Sequence, residues 1–150
     1  MHINKNSKSK IETNKFKRIN SLNKDQLEQL IVLYKNEWWT NDRQEIDIKK
    51  LLKGASVVFA YADPVGELAA FSRVLSDGVY KAFVFDVIVS EKFRGYGLAT
   101  RLINDILTDD SISCVRHIEL YCKLELNDFY KKFGFTSEVG PINLMRKIQW

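Results

Sequence analysis

The run Val87-Ile88-Val89-Ser90-Glu91-Lys92-Phe93-Arg94-Gly95-Tyr96-Gly97-Leu98-Ala99 constrains the fold more than any other part of this chain. It reads as a buried strand, a short polar turn and a glycine-rich helix start. From Leu98 onward, Leu98, Leu102, Ile103, Ile106 and Leu107 recur at helical spacing, so the loop opens directly into an amphipathic helix. A helix N-terminus offers unpaired backbone N–H groups and the positive end of the aligned peptide dipoles. Together these suit a phosphate. Gly95 and Gly97 keep side chains away from those amides, and Arg94 places a permanent positive charge beside them.

The rest of the sequence frames that loop. At 150 residues the chain is read as one domain. Its 45% hydrophobic and 28% charged content suit a folded globular protein. No apolar run approaches the ~18 residues of a membrane span. The N-terminus lacks the apolar segment of a signal peptide, so no membrane partner and a cytoplasmic location are expected. The formal charge of +4 favours an anionic small ligand but is too dispersed for nucleic acid. Residues 1–13, rich in Lys, Asn and Ser, read as a flexible polar tail, leaving 14–150 as the folded unit. Cys114, Cys122, His2 and His117 have no metal-ligand spacing, so no metal is expected.

Phe16 to Ile19 reads as a short strand. Ser21 or Asn23 caps a helix carrying Leu27, Leu30, Ile31 and Tyr34, which fades at Trp38-Trp39-Thr40-Asn41-Asp42. A second helix carries Ile46, Ile48, Leu51 and Leu52 and stops at Gly54. Val57 to Ala62 and Glu67 to Leu75 form a hairpin about Asp63-Pro64-Val65-Gly66. After the turn Ser76-Asp77-Gly78 comes the long apolar strand Tyr80 to Val89, leading to the glycine loop and a helix at about 97–108. Val115 to Cys122 reads as a strand, Leu126 to Phe133 as a helix, and Ile142 to Ile148 as a final strand. The order is β-α-α-β-β-β-α-β-α-β.

Arg94-Gly95-Tyr96-Gly97-Leu98-Ala99 resembles the acetyl-CoA signature of the GNAT superfamily of N-acetyltransferases, whose pattern is Arg/Gln-x-x-Gly-x-Gly/Ala. Phe129-Tyr130, followed by Gly134-Phe135, resembles the aromatic-Tyr-x-x-x-Gly-Phe ending of that family's fourth helix. The element order agrees over about residues 15–148. The resemblance implies an α+β (mixed α/β) fold, with a mostly antiparallel mixed sheet of about six to seven strands and about four flanking helices. It implies acetyl-CoA as co-substrate. Its pantetheine arm would lie along the backbone of Val87, Ile88 and Val89. Its pyrophosphate would sit on the amides of Gly95, Tyr96, Gly97, Leu98, Ala99 and Thr100 beside Arg94.

The resemblance also implies that Tyr130 sits near the CoA sulfur and can protonate the departing thiolate. The bland reading is an aromatic packed beside Phe129 and Phe133. The sequence names no single base. Asp86 is the one acid inside the apolar strand Phe83–Val89, where a carboxylate is either paired or has a raised pKa. An ion pair with Arg73 is the structural alternative, and strand alternation points Asp86 away from Phe85 and Val87. Glu119 and an ordered water are the other candidates. Lys123 stands where many family members carry an Asn seven residues before the tyrosine, and reads either as solvated or as facing a phosphate or an acidic substrate.

The family builds its acceptor wall where Glu37-Trp38-Trp39 falls. Two adjacent tryptophans do not easily share a core face, so one is expected in the core and the other on the pocket. Arg43, Arg73, Asp77 and Tyr80 are further pocket candidates. The expected reaction moves acetyl from acetyl-CoA to a primary amine of a small metabolite, by direct attack in a ternary complex. Acetylation of a protein or peptide, and acyl-CoA sensing without turnover, are the alternatives. The family's frequent dimers leave a homodimer open.

Overall fold

The computed structural model describes residues 14–150; the expected tail, 1–13, lies outside the described residues. The chain runs through β1 (Lys17–Ile19), α1 (Lys24–Asn36), α2 (Glu45–Gly54), β2 (Val57–Ala62), β3 (Leu68–Ser76) and β4 (Lys81–Val89). Next come a 3-10 turn (Glu91–Phe93), α3 (Leu98–Thr108), β5 (His117–Leu120), a second 3-10 turn (Leu124–Leu126) and α4 (Asn127–Lys131). The strands form one mixed sheet in chain order, antiparallel from β1 to β4 and parallel between β4 and β5.

Helices cover both faces of the sheet. On one face α3 buries Leu98, Leu102, Ile103 and Ile106 against Phe59, Tyr61, Val74, Ala82 and Val84. On the other, Leu30 and Tyr34 of α1 and Ile48 of α2 pack on Ala60, Phe71 and Ile88. Helix α1 starts with a capping box. The Asn23 side chain accepts from the Gln26 backbone at 2.8 Å, and the Gln26 side chain accepts from the Asn23 backbone at 3.1 Å. Gln26 then reaches the Gly66 carbonyl at 3.0 Å, tying α1 to the β2–β3 turn. The β3–β4 turn is held by Asp77, whose Oδ1 accepts the backbone N–H groups of Val79, Tyr80 and Lys81.

The face assignment along β4 changes partway. Ala82 and Val84 point to the α3 side, as do Val87 and Val89, whereas Ile88 joins the α1 side. An even-numbered set gives way to an odd-numbered one, which requires one extra residue between them. The register with β3 contains it: Phe71 faces Ile88 while Arg73 faces Phe85, two steps on β3 against three on β4. This is a β-bulge. Asp86, φ 58°, is the one non-glycine residue of the described chain with positive φ.

The described residues form five strands, fewer than the six to seven expected. Ile142 to Ile148 forms no strand and has no sheet partner, and Ile142, Leu144, Met145 and Ile148 are exposed. Short-range bonds from Val139 N to the Ser137 carbonyl and from Ile142 N to the Gly140 carbonyl curl the backbone just before it. No helix is long and apolar enough to cross a membrane among the described residues.

Removing buried atoms and removing exposed ones should therefore have opposite consequences. Leu102→Ala, at a fully buried position, should cost about 3 kcal/mol in urea denaturation. Leu144→Ala should change stability by less than about 0.5 kcal/mol. A large loss at Leu144 would contradict a C-terminal segment outside the sheet.

Candidate functional site

Asp86 organises the middle of β4. Its Oδ2 accepts from Tyr34 Oη at 2.8 Å, Arg43 Nη1 at 3.0 Å and Arg73 Nε at 2.7 Å, and its Oδ1 accepts from Arg43 Nη2 at 3.1 Å. The carboxylate is only 3% exposed. Arg43 stacks on the Tyr34 ring and Arg73 on the Phe85 ring. Burial alone would raise the Asp86 pKa, but the hydrogen bonds and charges of the two arginines outweigh it and hold the carboxyl below the usual range. Burial, then the charge of Asp86, pushes the Tyr34 phenol far up, so it stays a proton donor.

Because Arg73 touches both Asp86 and the Phe85 ring, the bulge turns these two side chains to the same side. Regular strand alternation would separate them. It also follows that Asp86 is a paired anion with its oxygens engaged, which is not the arrangement of a general base. Arg73, expected at a substrate pocket, is mostly buried and committed to Asp86. The ion pair anticipated for these two is present, enlarged by Arg43 and Tyr34.

Past Val84, β4 has no strand paired on its β5 side. The β4–β5 ladder runs from Lys81 opposite His117 to Val84 opposite Leu120 and ends there, while β4 continues to Val89. The backbone of Phe85 to Val89 therefore borders a gap on the β5 side, where an extended chain can add like a strand. At the end of the gap lies the glycine loop. Gly95 and Gly97 have φ of 88° and 75°, which only glycine adopts readily. A Cβ added at either would meet no heavy atom within 4 Å, so the space over both is open. Helix α3 starts with no side-chain cap and no acid in its first turn. These features fit a pyrophosphate on the loop and a pantetheine arm in the gap.

Tyr130, on α4, is 7% exposed and packs edge-on against Phe129 and Phe135. Its hydroxyl has no hydrogen-bond partner among the described residues. Burial, and then the neighbouring Cys122, pushes its pKa up to about 12. Tyr130 is therefore a neutral donor at physiological pH, in contact with the aromatic core. It lines a cleft of about 920 Å³ along β5, together with Phe83, Tyr121, Cys122 and Asn127; the cleft does not reach the glycine loop. Phe83 stacks with Phe85 and with Tyr121 at centroid distances of 4.6 and 4.5 Å, forming an aromatic wall.

The remaining candidates are spread out. Trp38 and Trp39 are 65% and 43% exposed and meet edge-to-face, so neither joins the core. Thr40 is the buried residue of that turn, its hydroxyl donating to the Tyr34 carbonyl at 2.7 Å. Glu119 pairs with Lys81 and Asp77 is engaged in its turn, both away from the bulge. Tyr80 is exposed beside Asp77. The Lys123 ammonium lies 5.1 Å from the Trp38 ring centroid. Sequence reasoning missed Tyr34 as a polar partner and Glu37 as the ion-pair partner of Arg94.

The fold recurs in known proteins. The acetyltransferase (GNAT) domain family matches residues 53–137, more than half of the chain. The chain is 30% identical to serotonin N-acetyltransferase 2, chloroplastic, of Oryza sativa subsp. japonica, over 69% of this chain and 53% of that protein. A solved structure belonging to the GNAT family, from Xanthomonas campestris pv. campestris, has a TM-score of 0.75 at 24% identity, covering 89% of this chain and 94% of that one. AAC(6')-Iy in complex with the bisubstrate analogue CoA-S-monomethyl-acetylneamine has a TM-score of 0.65 at 19% identity, covering 89% and 99%. The chain belongs to the GNAT acetyltransferase family. It spans about half the length of the curated relatives it matches.

The Asp86 cluster has a measurable signature. Asp86→Asn keeps a side chain that tolerates positive φ but leaves two arginines without their anion, and should cost about 3 kcal/mol at neutral pH. A depressed carboxyl contributes stability above its unfolded pKa of about 3.9 and loses it as pH falls through the folded value. The gap between wild type and variant in denaturant titrations should therefore be flat above about pH 5 and close only in stronger acid. A gap that closes near neutrality would contradict a depressed pKa.

Proposed function

We propose that this protein transfers an acetyl group from acetyl-CoA to the primary amine of a small molecule. The observation that carries the reading is the β5-side edge of β4, unpaired from Phe85 to Val89 and leading to the glycine loop. It matches an acyl-CoA in length order: pyrophosphate at Gly95 to Thr100, pantetheine beside Val87, Ile88 and Val89, thioester near the bulge. The cleft at Tyr130 has the volume of a small-molecule site, and its Phe83 and Tyr121 wall suits a ring-bearing amine. A rice relative named for serotonin makes aromatic amines the first class to test. The cytoplasmic location expected from the sequence stands as part of this proposal.

In the reaction the neutral amine attacks the thioester carbon. The C–N bond forms, the C–S bond breaks, and the proton lost by nitrogen ends on sulfur. Tyr130 serves the leaving group. With its pKa near 12 against ~8.5 for a free thiol, complete proton transfer to the thiolate is uphill, so its larger contribution is a hydrogen bond to developing charge on sulfur. Asp86 acts one step back, holding the bulge. With Asp86 and Glu119 both paired, water is the proton acceptor this reading favours for the amine.

Acetyl-CoA-dependent thiol release over a panel of aromatic amines, amino acids, polyamines and peptides tests the reaction. Tyr130→Phe should lower turnover about tenfold or more with little change in acetyl-CoA affinity. Gly97→Glu should abolish that affinity in calorimetry, because it sets a carboxylate in the phosphate cradle. Retained binding in Gly97→Glu would contradict the loop assignment, and release with peptides alone would contradict a small-molecule acceptor.

A further inference from the structure

The turn that follows α1 reaches both sides of the β4 gap. Glu37 is the C-terminal cap of α1, and its side chain, mostly shielded from solvent, points to the glycine loop. There its Oε1 accepts from Arg94 Nη2 at 3.3 Å. The next residue, Trp38, reaches the other side, where the Lys123 ammonium rests over its ring at 5.1 Å. Lys123 follows β5, and Arg94 follows β4. Two adjacent residues thus tie α1 to the far ends of the two strands that diverge. One turn earlier on the same helix, Tyr34 is fixed to Asp86 at the bulge, so the helix itself is anchored and only its end spans the opening.

Arg94 is the hinge of this arrangement. Its Nε also donates to the Val89 carbonyl at 3.3 Å, on the very stretch of backbone that borders the gap. Both of its contacts are longer than the 2.7–2.9 Å typical of a tight charge-assisted bond, and the side chain is 59% exposed. It is held, but loosely. A pyrophosphate on the Gly95–Gly97 loop would offer the same guanidinium more negative charge than one carboxylate, and bidentate geometry besides. Glu37 meanwhile would face that anion with its own charge.

We propose that residues 37 and 38 form a latch across the acyl-CoA gap, closed by Glu37–Arg94 and Trp38–Lys123, and that Arg94 exchanges Glu37 for the pyrophosphate when the donor enters. This rests on the reading of the gap as the donor site. Glu37 is then a positioning residue: it keeps Arg94 beside the loop before binding and competes with the donor for it. Lys123, read from the sequence as solvated or phosphate-facing, fastens the other end of the latch.

Calorimetry with CoA, and with pantetheine as a probe lacking the pyrophosphate, tests the exchange. Glu37→Gln should bind CoA about fivefold more tightly than wild type, because competitor and repulsion are both removed, and its pantetheine affinity should be unchanged. Lys123→Met should make the indole emission change on CoA addition smaller, since Trp38 starts already released; Trp38→Phe should remove that change while Trp39→Phe keeps it. Wild-type binding with equal or weaker CoA affinity in Glu37→Gln would overturn the latch and leave the donor site standing. Failure of the wild-type protein to bind CoA would overturn both.

Discussion

One carboxylate in an unusual backbone conformation decides the shape of the site. Asp86 sits at φ 58° inside an otherwise extended strand, a conformation that costs a non-glycine residue free energy. Asp tolerates it better than a branched residue would, and the four hydrogen bonds to its side chain hold it there. The extra residue switches which side chains of β4 face α3, and it lies two positions past Val84, the last residue paired with β5. Bulges bend and twist the strand that carries them. The gap along Phe85 to Val89 follows from that local event, as does the attachment of α1 and of the Arg43 segment to the middle of the sheet.

The electrostatics of the region follow the same plan. Two guanidinium groups surround one buried carboxylate, and each also lies on an aromatic face. Such a cluster is a poor proton acceptor and a good support. It anchors α1 one turn before Glu37 and Trp38, the two residues proposed as the latch. Tyr130 occupies the opposite situation, a phenol among aromatic rings with its proton available. The division is between charge that holds the backbone and the neutral donor proposed to serve the leaving group.

What could be read in the sequence was what is local. The strand, glycine loop and α3 are contiguous, and the apolar spacing from Leu98 to Leu107 allows one arrangement only. The helix start at Ser21 or Asn23 and the Ser76-Asp77-Gly78 turn are equally short-range. Asp86 stood out as an acid among apolar residues, and Arg73 was a legible partner because it lies on the adjacent strand. The bulge was not legible, since period-two alternation assumes a regular strand; the positive φ that breaks it depends on Tyr34 and Arg43, 52 and 43 positions away. The tryptophan pair misled because apolar size suggested burial, whereas Thr40 takes the buried place and satisfies the end of α1. The stretch 142–148 reads as a final strand, yet it stays unpaired although β5 offers a free edge.

The central claim is that the β4 backbone from Phe85 to Val89 is an open edge that takes the acyl-CoA arm as an added strand. Amide hydrogen exchange, followed across β4 with and without acetyl-CoA, tests it most directly. The account predicts slower exchange within Phe85 to Val89 on addition of acetyl-CoA, while Ala82 to Val84, already paired to β5, stays as it was. Unchanged exchange in Phe85 to Val89 under conditions where acetyl-CoA is bound would contradict it.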